Sequence, residues 1–147
     1  MIQIDQGLIT RFMAEITGLD VVHENGIYQV WGASSYGNPI VGTYVPTAGR
    51  PYCEIIVLQN DVTPATLRHS NDTDGIFRVL LNYPVNTGAV AAKLKADQIF
   101  TAFPIGQRLT YGGVTITIMS NHRQPGAPES GWYRLALTIG YRATIQR

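Results

Sequence analysis

Along the C-terminal stretch of the chain, residues 132–143, an apolar or aromatic residue stands at every second position, and the positions between are mostly polar or small. A period of two is typical of a β-strand with one buried face. The pattern therefore predicts a long, half-buried strand near the end of the chain. One face would carry Tyr133, Leu135, Leu137, Ile139, Tyr141 and Ala143, and the other Trp132, Arg134, Ala136, Thr138, Gly140 and Arg142.

A helical spacing of apolar residues occurs twice. Residues 4–19 place apolar side chains three and four positions apart, and Asp5 is the candidate N-cap of this first helix. A second helix is predicted from a cap at Thr87 to about Phe103, with an apolar face rich in alanine. Both segments are amphipathic, which indicates helices packed on one side of a sheet.

Strand-forming residues are concentrated in residues 51–59, 75–84 and 112–120, the last preceded by a possible partner strand, QRLTY. The polar stretch 60–74 is predicted to be a long loop, and connections of this length are often functional. Residues 20–50 combine glycines and prolines with short β-prone pieces, which favours an extended β-hairpin arm.

These elements predict one α+β domain over residues 1–147. The expected architecture is a single mostly antiparallel or mixed sheet of four to five strands, packed by two helices and carrying the hairpin arm. A chain of this length can bury a core of its own without disulfides.

Charge is distributed unevenly along the sequence. Residues 1–75 hold eight acidic and three basic side chains, whereas residues 76–147 hold two acidic and eight basic ones. Two oppositely charged regions would favour head-to-tail contacts between copies. Alternatively, the charges interleave in three dimensions. The net charge of +1 does not indicate strong nucleic-acid binding.

The sequence offers little catalytic chemistry. His23, His69 and His122 are scattered without metal-ligand spacing, and Cys53 lies in a predicted buried strand, where a free cysteine usually packs as a small apolar group. We expect no cofactor, no metal and no enzymatic activity. The first residues lack the features of a signal peptide, and no apolar run is long enough to span a bilayer, so we expect neither export by that route nor membrane insertion.

Three stretches together resemble the tail terminators of long-tailed phages, of the lambda-like type. They are YVPTAGRPYCEIIVL (44–58), FPIGQRLTYGGVTITI (103–118) and SGWYRLALTIGYRA (130–143). The resemblance covers residues 44–147 and, more weakly, 1–19. The last stretch supplies the family motif residues Trp132, Tyr133, Arg134, Tyr141 and Arg142.

The resemblance implies a structural virion protein assembled in the cytoplasm of the host bacterium. It implies a ring, of six copies, that caps the head-proximal end of the tail tube and stops its polymerisation. The partners implied are further copies of the chain, the tail tube protein and a head connector or neck protein. Genomic DNA would pass through the ring without specific binding, and no membrane is involved.

Two regions are candidates for contacts in such an assembly. The loop 60–74 would face the tube or the lumen, where its aspartates would discourage DNA from sticking. The aromatic residues of the arm would anchor in a neighbouring copy or pack against their own sheet. The loop candidates are Asp61, Arg68, His69, Asp72 and Asp74, and the arm candidates are Tyr28, Trp31, Tyr36 and Tyr44.

Two other functions remain open from the sequence. A head-side neck or connector protein would have a similar size and occupy the same stack of rings. A small ligand-binding domain or a thiol enzyme would instead use Cys53 with a histidine, and would require a reactive cysteine in a concave site.

Overall fold

In the computed structural model, described for residues 2–24, 26–32, 39–60, 63–64, 70–85 and 88–146, two helices and ten strands follow one another along the chain. The helices are α1 (Ile2–Glu15) and α2 (Val90–Ala102). The strands are β1 (Asp20–Val22), β2 (Ile27–Gln29), β3 (Ile40–Val41), β4 (Tyr52–Gln59), β5 (Thr63–Pro64), β6 (Ser70–Pro84), β7 (Arg108–Tyr111), β8 (Val114–Arg123), β9 (Ala127–Glu129) and β10 (Trp132–Gln146).

Both helices are present, but their predicted starts are wrong. Asp5 lies inside the first turn of α1 rather than at its N-cap, because the helix already begins at Ile2. The N-cap of α2 is Ala89, which forms no side-chain cap hydrogen bond, and the predicted cap Thr87 lies outside the described residues. The C-terminal end of α2 agrees with the prediction, since Phe103 caps it and Pro104 follows.

The sheet is larger than the four to five strands predicted. All ten strands belong to it, in the order β3-β2-β1-β4-β6-β10-β8-β7, while β5 pairs with β6 and β9 pairs with β10. It is mixed, because β1 runs parallel to β4 and the other pairs are antiparallel. The strands β1, β2 and β3 lie in the stretch 20–50, which was predicted to be an extended β-hairpin arm, and they extend this sheet at one end.

The two longest strands, β6 and β10, pair with each other over fifteen residues, from Trp132 opposite Pro84 to Gln146 opposite Ser70. Residues 70–74 are therefore part of a strand, although their polar composition predicted a loop. Residues 142–146 of β10 supply the strand partner, and the local composition of residues 70–74 cannot reveal a partner so distant in sequence. The β4–β6 connection is correspondingly shorter than predicted, residues 60–69.

The helices cover one face of the sheet. The predicted alternation in β10 is confirmed, since Leu135, Leu137 and Ile139 are buried in the same core as the inward residues of both helices. The ring of Phe77 on β6 contacts both Phe12 of α1, at 5.8 Å between centroids, and Phe103, at 5.6 Å. The other face of the sheet, called the open face below, carries the opposite set of side chains from β4, β6, β8 and β10.

The predicted pairing of QRLTY with the glycine-led strand is confirmed as the β7–β8 hairpin. Tyr111 pairs with Val114 across a two-residue turn, Gly112-Gly113, whose φ angles are 56° and 82°. Two consecutive positive φ angles are characteristic of the type I′ turn, which matches the twist of the flanking strands. Within the described part of the chain, no helix is long and apolar enough to cross a membrane.

Candidate assembly surfaces

The part of the predicted contact loop that the structure describes forms a polar network on the open face. The carboxylate of Asp72 accepts hydrogen bonds from Arg142 Nη2 at 2.8 Å and from Thr144 Oγ1 at 2.9 Å. Asp74 accepts a hydrogen bond from Asn60 Nδ2 at 2.7 Å. The hydrogen bonds from Arg142 and Thr144 lower the pKa of Asp72. The other loop candidates, Asp61, Arg68 and His69, lie outside the described residues.

A concave region of about 580 Å³ lies beside this network. Gly140 of β10 forms part of its lining, together with Asp72, Asp74, Met119 and Arg142. A side chain at position 140 would collide with the hydroxyl of Ser120. The lining combines the carboxylates of Asp72 and Asp74 with the guanidinium of Arg142 and the thioether of Met119. Among the described residues, no cluster of His, Cys, Asp or Glu could hold a metal ion.

The aromatic residues of the predicted arm pack on their own chain. The rings of Tyr28 and Tyr44 lie 5.4 Å apart, and Tyr44 lies 5.1 Å from Tyr52 of β4. Tyr52 in turn meets Trp132 of β10 edge-on at 5.1 Å. This aromatic row joins the arm to the first residue of the family motif. Trp31 is partly exposed beside it, and Tyr36 lies outside the described residues.

A buried carboxylate, that of Asp20, holds the same region together. It accepts hydrogen bonds from the backbone N–H of Trp31 at 2.8 Å, from the hydroxyl of Tyr44 at 2.6 Å and from two guanidinium nitrogens of Arg50, both at 2.8 Å. Arg50 also donates to the carbonyl oxygen of Trp31. Sequence reasoning missed this site, because an aspartate and an arginine thirty positions apart give no local signal.

The family motif residues of β10 have structural contacts. Arg134 donates to the side-chain oxygen of Asn82 at 2.8 Å and lies 3.5 Å from Glu129 and 3.9 Å from Glu54. The hydroxyl of Tyr141 donates to the carbonyl oxygen of Leu58 at 3.2 Å. The side chain of Tyr133 is half-buried against the core. These contacts tie β10 to β6 and β9, which pair with it, and across β6 to β4.

Two of the ion pairs also decide how the charges are arranged on the open face. Asp72 and Glu54 belong to the acidic half of the sequence, whereas Arg142 and Arg134 belong to the basic half. On this face the charges interleave, so the expectation of two separate charged regions is wrong here. The reason is that β4, β6 and β10 are adjacent in the sheet although they are distant in sequence.

The remaining candidates for chemistry do not converge. Cys53 is completely buried in β4, and burial raises the pKa of its thiol, which disfavours the reactive thiolate. The side chain of His23 hydrogen-bonds to that of Gln29, and His122 is exposed on β8. His69 lies outside the described residues. The described residues therefore give the thiol-enzyme alternative no support.

Comparison with known proteins bears on the whole arrangement. A family model described as phage tail terminator protein matches residues 41–141, which span the chain from the end of β3 to the second half of β10. This chain belongs to the phage tail terminator family. The predicted resemblance is thereby confirmed, and the family is one of structural proteins rather than enzymes.

A comparison of folds covers more of the chain than this match does. One solved structure, 16% identical in sequence, superimposes with a TM-score of 0.62 and covers 97% of this chain and 91% of its own chain. At this identity the likeness concerns the fold alone. Among curated protein sequences, none matches significantly. As a member of the family, the chain is a component of the phage tail, has a role in tail completion and interacts with other tail components.

Proposed function

We propose that this terminator closes the head-proximal end of the tail tube as a ring of six copies, stops tube polymerisation and provides the surface on which the head or neck docks. The observation that carries the proposal is the family match over residues 41–141. That range includes most of the sheet and all of α2, so it concerns the domain as a whole rather than one motif.

The two unlike faces of the molecule suggest how capping works. One face of the sheet is covered by α1 and α2, and the other is open and carries charged, polar and apolar side chains. In a ring of identical copies, such an asymmetric subunit presents different surfaces above and below. One ring surface would match the contacts of the last tube layer, and the other would lack them. Termination is then steric and energetic, and no covalent bond is made or broken.

The β4–β6 connection and the start of β6 are the proposed contact with the tube or the lumen. The ion pair with Arg142 offsets the charge of Asp72, so among the described aspartates of this segment repulsion of passing DNA would fall mainly on Asp74. Asp61 lies outside the described residues, and it enters the test because the sequence places a further carboxylate in the connection. Charge reversal at these two positions should impair DNA packaging or ejection. Unchanged assembly, packaging and ejection would contradict an acidic lining.

The function is tested by electron microscopy of lysates from the parent phage with this gene disabled and with it restored. Abnormally long tubes beside unattached, filled heads are expected without the gene, and normal tails with it. Tails of normal length that lack heads would instead indicate a neck protein. Normal infectious particles would remove the protein from tail assembly altogether.

A further inference from the structure

An apolar patch occupies the centre of the open face, on the adjacent strands β4 and β6. Its members, together called the sheet patch below, are Ile56, Leu58, Ile76 and Leu80. They alternate with the core residues of the two strands, so they point away from the helices. Leu58 is 43% exposed and the other three are half-buried. A sheet face in contact with water is normally polar, so this patch indicates a surface on which another element packs.

One arginine interrupts the sheet patch. Arg78 is exposed and lies directly opposite Ile56 of β4, with Ile76 and Leu80 on either side of it along β6. Within the described part of the chain, its guanidinium takes part in no hydrogen bond or ion pair. A partner that covers the patch must bring a carboxylate to this position, because an arginine buried without a counter-charge is costly.

Two carboxylates share a concave region with Arg78, but both have other partners. The region has a volume of about 440 Å³ and is lined by Arg78, Glu24, Glu54 and part of the sheet patch. Glu24 accepts a hydrogen bond from the backbone N–H of Val57 at 3.0 Å, and Glu54 lies 3.9 Å from Arg134. The concave region therefore offers a partner a place to insert beside an arginine that is still unpaired.

A convex surface of matching character lies on the outer side of α2. Val90 and Leu94 are 69% and 59% exposed, and the exposed Asp97 follows on the same side of the helix. These three residues are called the helix ridge below. The hydroxyl of Thr101 donates to the backbone carbonyl oxygen of Asp97, and among the described residues no hydrogen bond or ion pair engages the Asp97 carboxylate.

Apolar side chains occupy both sides of α2. Its buried residues are mostly small, whereas the larger Val90 and Leu94 point outward. The buried residues are Ala92, Ala96, Ile99 and Ala102. A helix that is apolar on all sides is normally buried on all sides. The helix ridge therefore indicates a contact beyond the helix's own sheet.

Exposed apolar side chains such as Ile2 and Val41 occur elsewhere, so exposure alone does not select the helix ridge. Two further observations select it. An unpaired carboxylate stands beside its apolar side chains, and this charge is opposite to that of the unpaired arginine in the sheet patch. The ridge also lies on the side of the molecule opposite the open face, because the helices cover the other face of the sheet.

We propose that the helix ridge of one copy packs into the sheet patch of the next, with Asp97 paired to Arg78. This inference rests on the proposed function, and it names the contact that joins the subunits of the ring. The two surfaces are complementary in shape, in apolar character and in charge. A contact between opposite sides of one chain repeats head to tail, and it closes into a ring when the rotation between copies permits.

This contact leaves the ends of the strands, with the connections between them, as the upper and lower surfaces of the ring. The β4–β6 connection lies at one of these ends, which agrees with its proposed contact with the tube or the lumen. The two ring surfaces still differ, because different connections lie at the two ends of the strands.

Charge reversal tests the pairing. Arg78→Glu and Asp97→Arg are supplied separately to the parent phage with its own gene disabled. Each should lower the titre of infectious particles by about tenfold or more, because it brings like charges together in every subunit contact. The double variant restores opposite charges and should return the titre and the tail length to those of the wild type. Circular dichroism and thermal unfolding of the purified single variants should match the wild type, since both positions are exposed.

A matched control separates the pair from net charge. Arg123→Glu, at an exposed arginine on β8, is combined with Asp97→Arg and gives the same net charge as the first double variant. This combination should not restore the titre. The proposal is overturned if both combinations rescue, or if Arg78→Glu lowers the titre and Asp97→Arg fails to restore it. The second result would assign the sheet patch to another partner, such as the tail tube protein.

Cross-linking tests proximity directly. Purified tails that carry Arg78→Cys together with Asp97→Cys are treated with a bismaleimide reagent, quenched with excess thiol and separated on a denaturing gel. A ladder of covalent multimers is expected, whereas tails with either single substitution should give monomer. Monomer alone from the double variant, or multimers from a single variant, would contradict the contact. The native thiol of Cys53 does not interfere because it is buried.

The results separate this contact from the proposed function. If all the charge variants cap tubes as well as the wild type does, the contact is wrong and the function stands. If tails of normal length form without the gene, the function is wrong, and cross-linked multimers of the purified double-cysteine protein would still support the contact.

Discussion

Asp20 joins three segments that are distant in sequence, and its effect on stability can be measured. Replacing it with Asn leaves the hydrogen bonds from Tyr44, Trp31 and Arg50 incompletely satisfied. We expect Asp20→Asn to lower the free energy of unfolding by about 2–3 kcal/mol in urea titrations. The control is Asp97→Asn, at an exposed position on α2, which should change it by less than about 0.5 kcal/mol. Equal effects of the two substitutions would contradict the role given to Asp20.

The same residue predicts a dependence of stability on pH. Burial raises the pKa of Asp20, but the hydrogen bonds from Arg50, Tyr44 and Trp31 outweigh burial and bring the pKa below the ordinary value for an aspartate. The folded state therefore favours the ionised form. The contribution of the ionised Asp20 carboxylate to the free energy of unfolding is present above about pH 5. It is lost as the pH falls through the folded-state pKa.

Urea unfolding at pH 7, 5 and 3 measures this effect as the difference in stability between the wild type and Asp20→Asn. The difference should shrink as the pH falls. The pKa of Asp72 is also lowered, but Asp72 is present in both proteins and cancels. A difference that stays constant with pH would show that the charge of Asp20 contributes nothing.

Gly75 is required by close packing rather than by its backbone angles. A Cβ atom there would overlap the carbonyl oxygen of Leu58 and would stand 2.7 Å from the hydroxyl of Tyr141. Gly75→Ala should lower the free energy of unfolding by about 3 kcal/mol. Tyr141→Phe alone should cost about 1 kcal/mol, the value of one hydrogen bond.

The double variant with both substitutions identifies which atom is responsible. It should not recover stability, because the nearest obstacle is the backbone oxygen of Leu58 rather than the tyrosine. Recovery in urea titrations would assign the strain to the tyrosine hydroxyl instead.

At the scale of elements, α1 packs on the sheet through its fully buried residues Ile4, Leu8 and Phe12, of which Phe12 is the largest. Phe12 is fully buried and contacts Phe77 of β6. Phe12→Ala should reduce the free energy of unfolding by about 3–5 kcal/mol, because it removes apolar contacts and leaves a cavity. Phe12→Leu keeps most of the volume and should cost less than about 1.5 kcal/mol. Similar losses for the two variants in denaturant titrations would refute this account of how the helix is held.

The elements also show why some predictions from sequence held and others failed. The alternation in β10 and the glycine turn of the β7–β8 hairpin are local patterns, and both were predicted correctly. The start of β6 was predicted wrongly as part of a loop. Residues 70–74 are polar, and they form a strand only by pairing with residues 142–146. Strand propensity depends on the partner as much as on the residue itself.

At the scale of the whole molecule, Cys53 reports on global opening. It is buried in β4, between β1 and β6, so a thiol reagent reaches it only when the fold opens. Each step of about 1.4 kcal/mol in opening free energy slows labelling about tenfold. A stability of about 5 kcal/mol or more therefore predicts labelling over roughly a thousand times slower than in denaturant.

The control is Val45→Cys, whose exposed thiol should react at the rate of a free cysteine. The experiment also bears on the alternative of a thiol enzyme. Fast labelling of Cys53 in the native protein would contradict its burial and would revive that alternative.

The sequence by itself determined the α+β class, both helices, the long half-buried C-terminal strand and the membership of the terminator family. These follow from local periodicity and from short motifs, which need no knowledge of distant contacts. Only the tertiary structure decided the size of the sheet, the Asp20 site and the pairing of Asp72 with Arg142. Each of these depends on which distant segments become neighbours, and that is settled by strand pairing and burial across the whole chain.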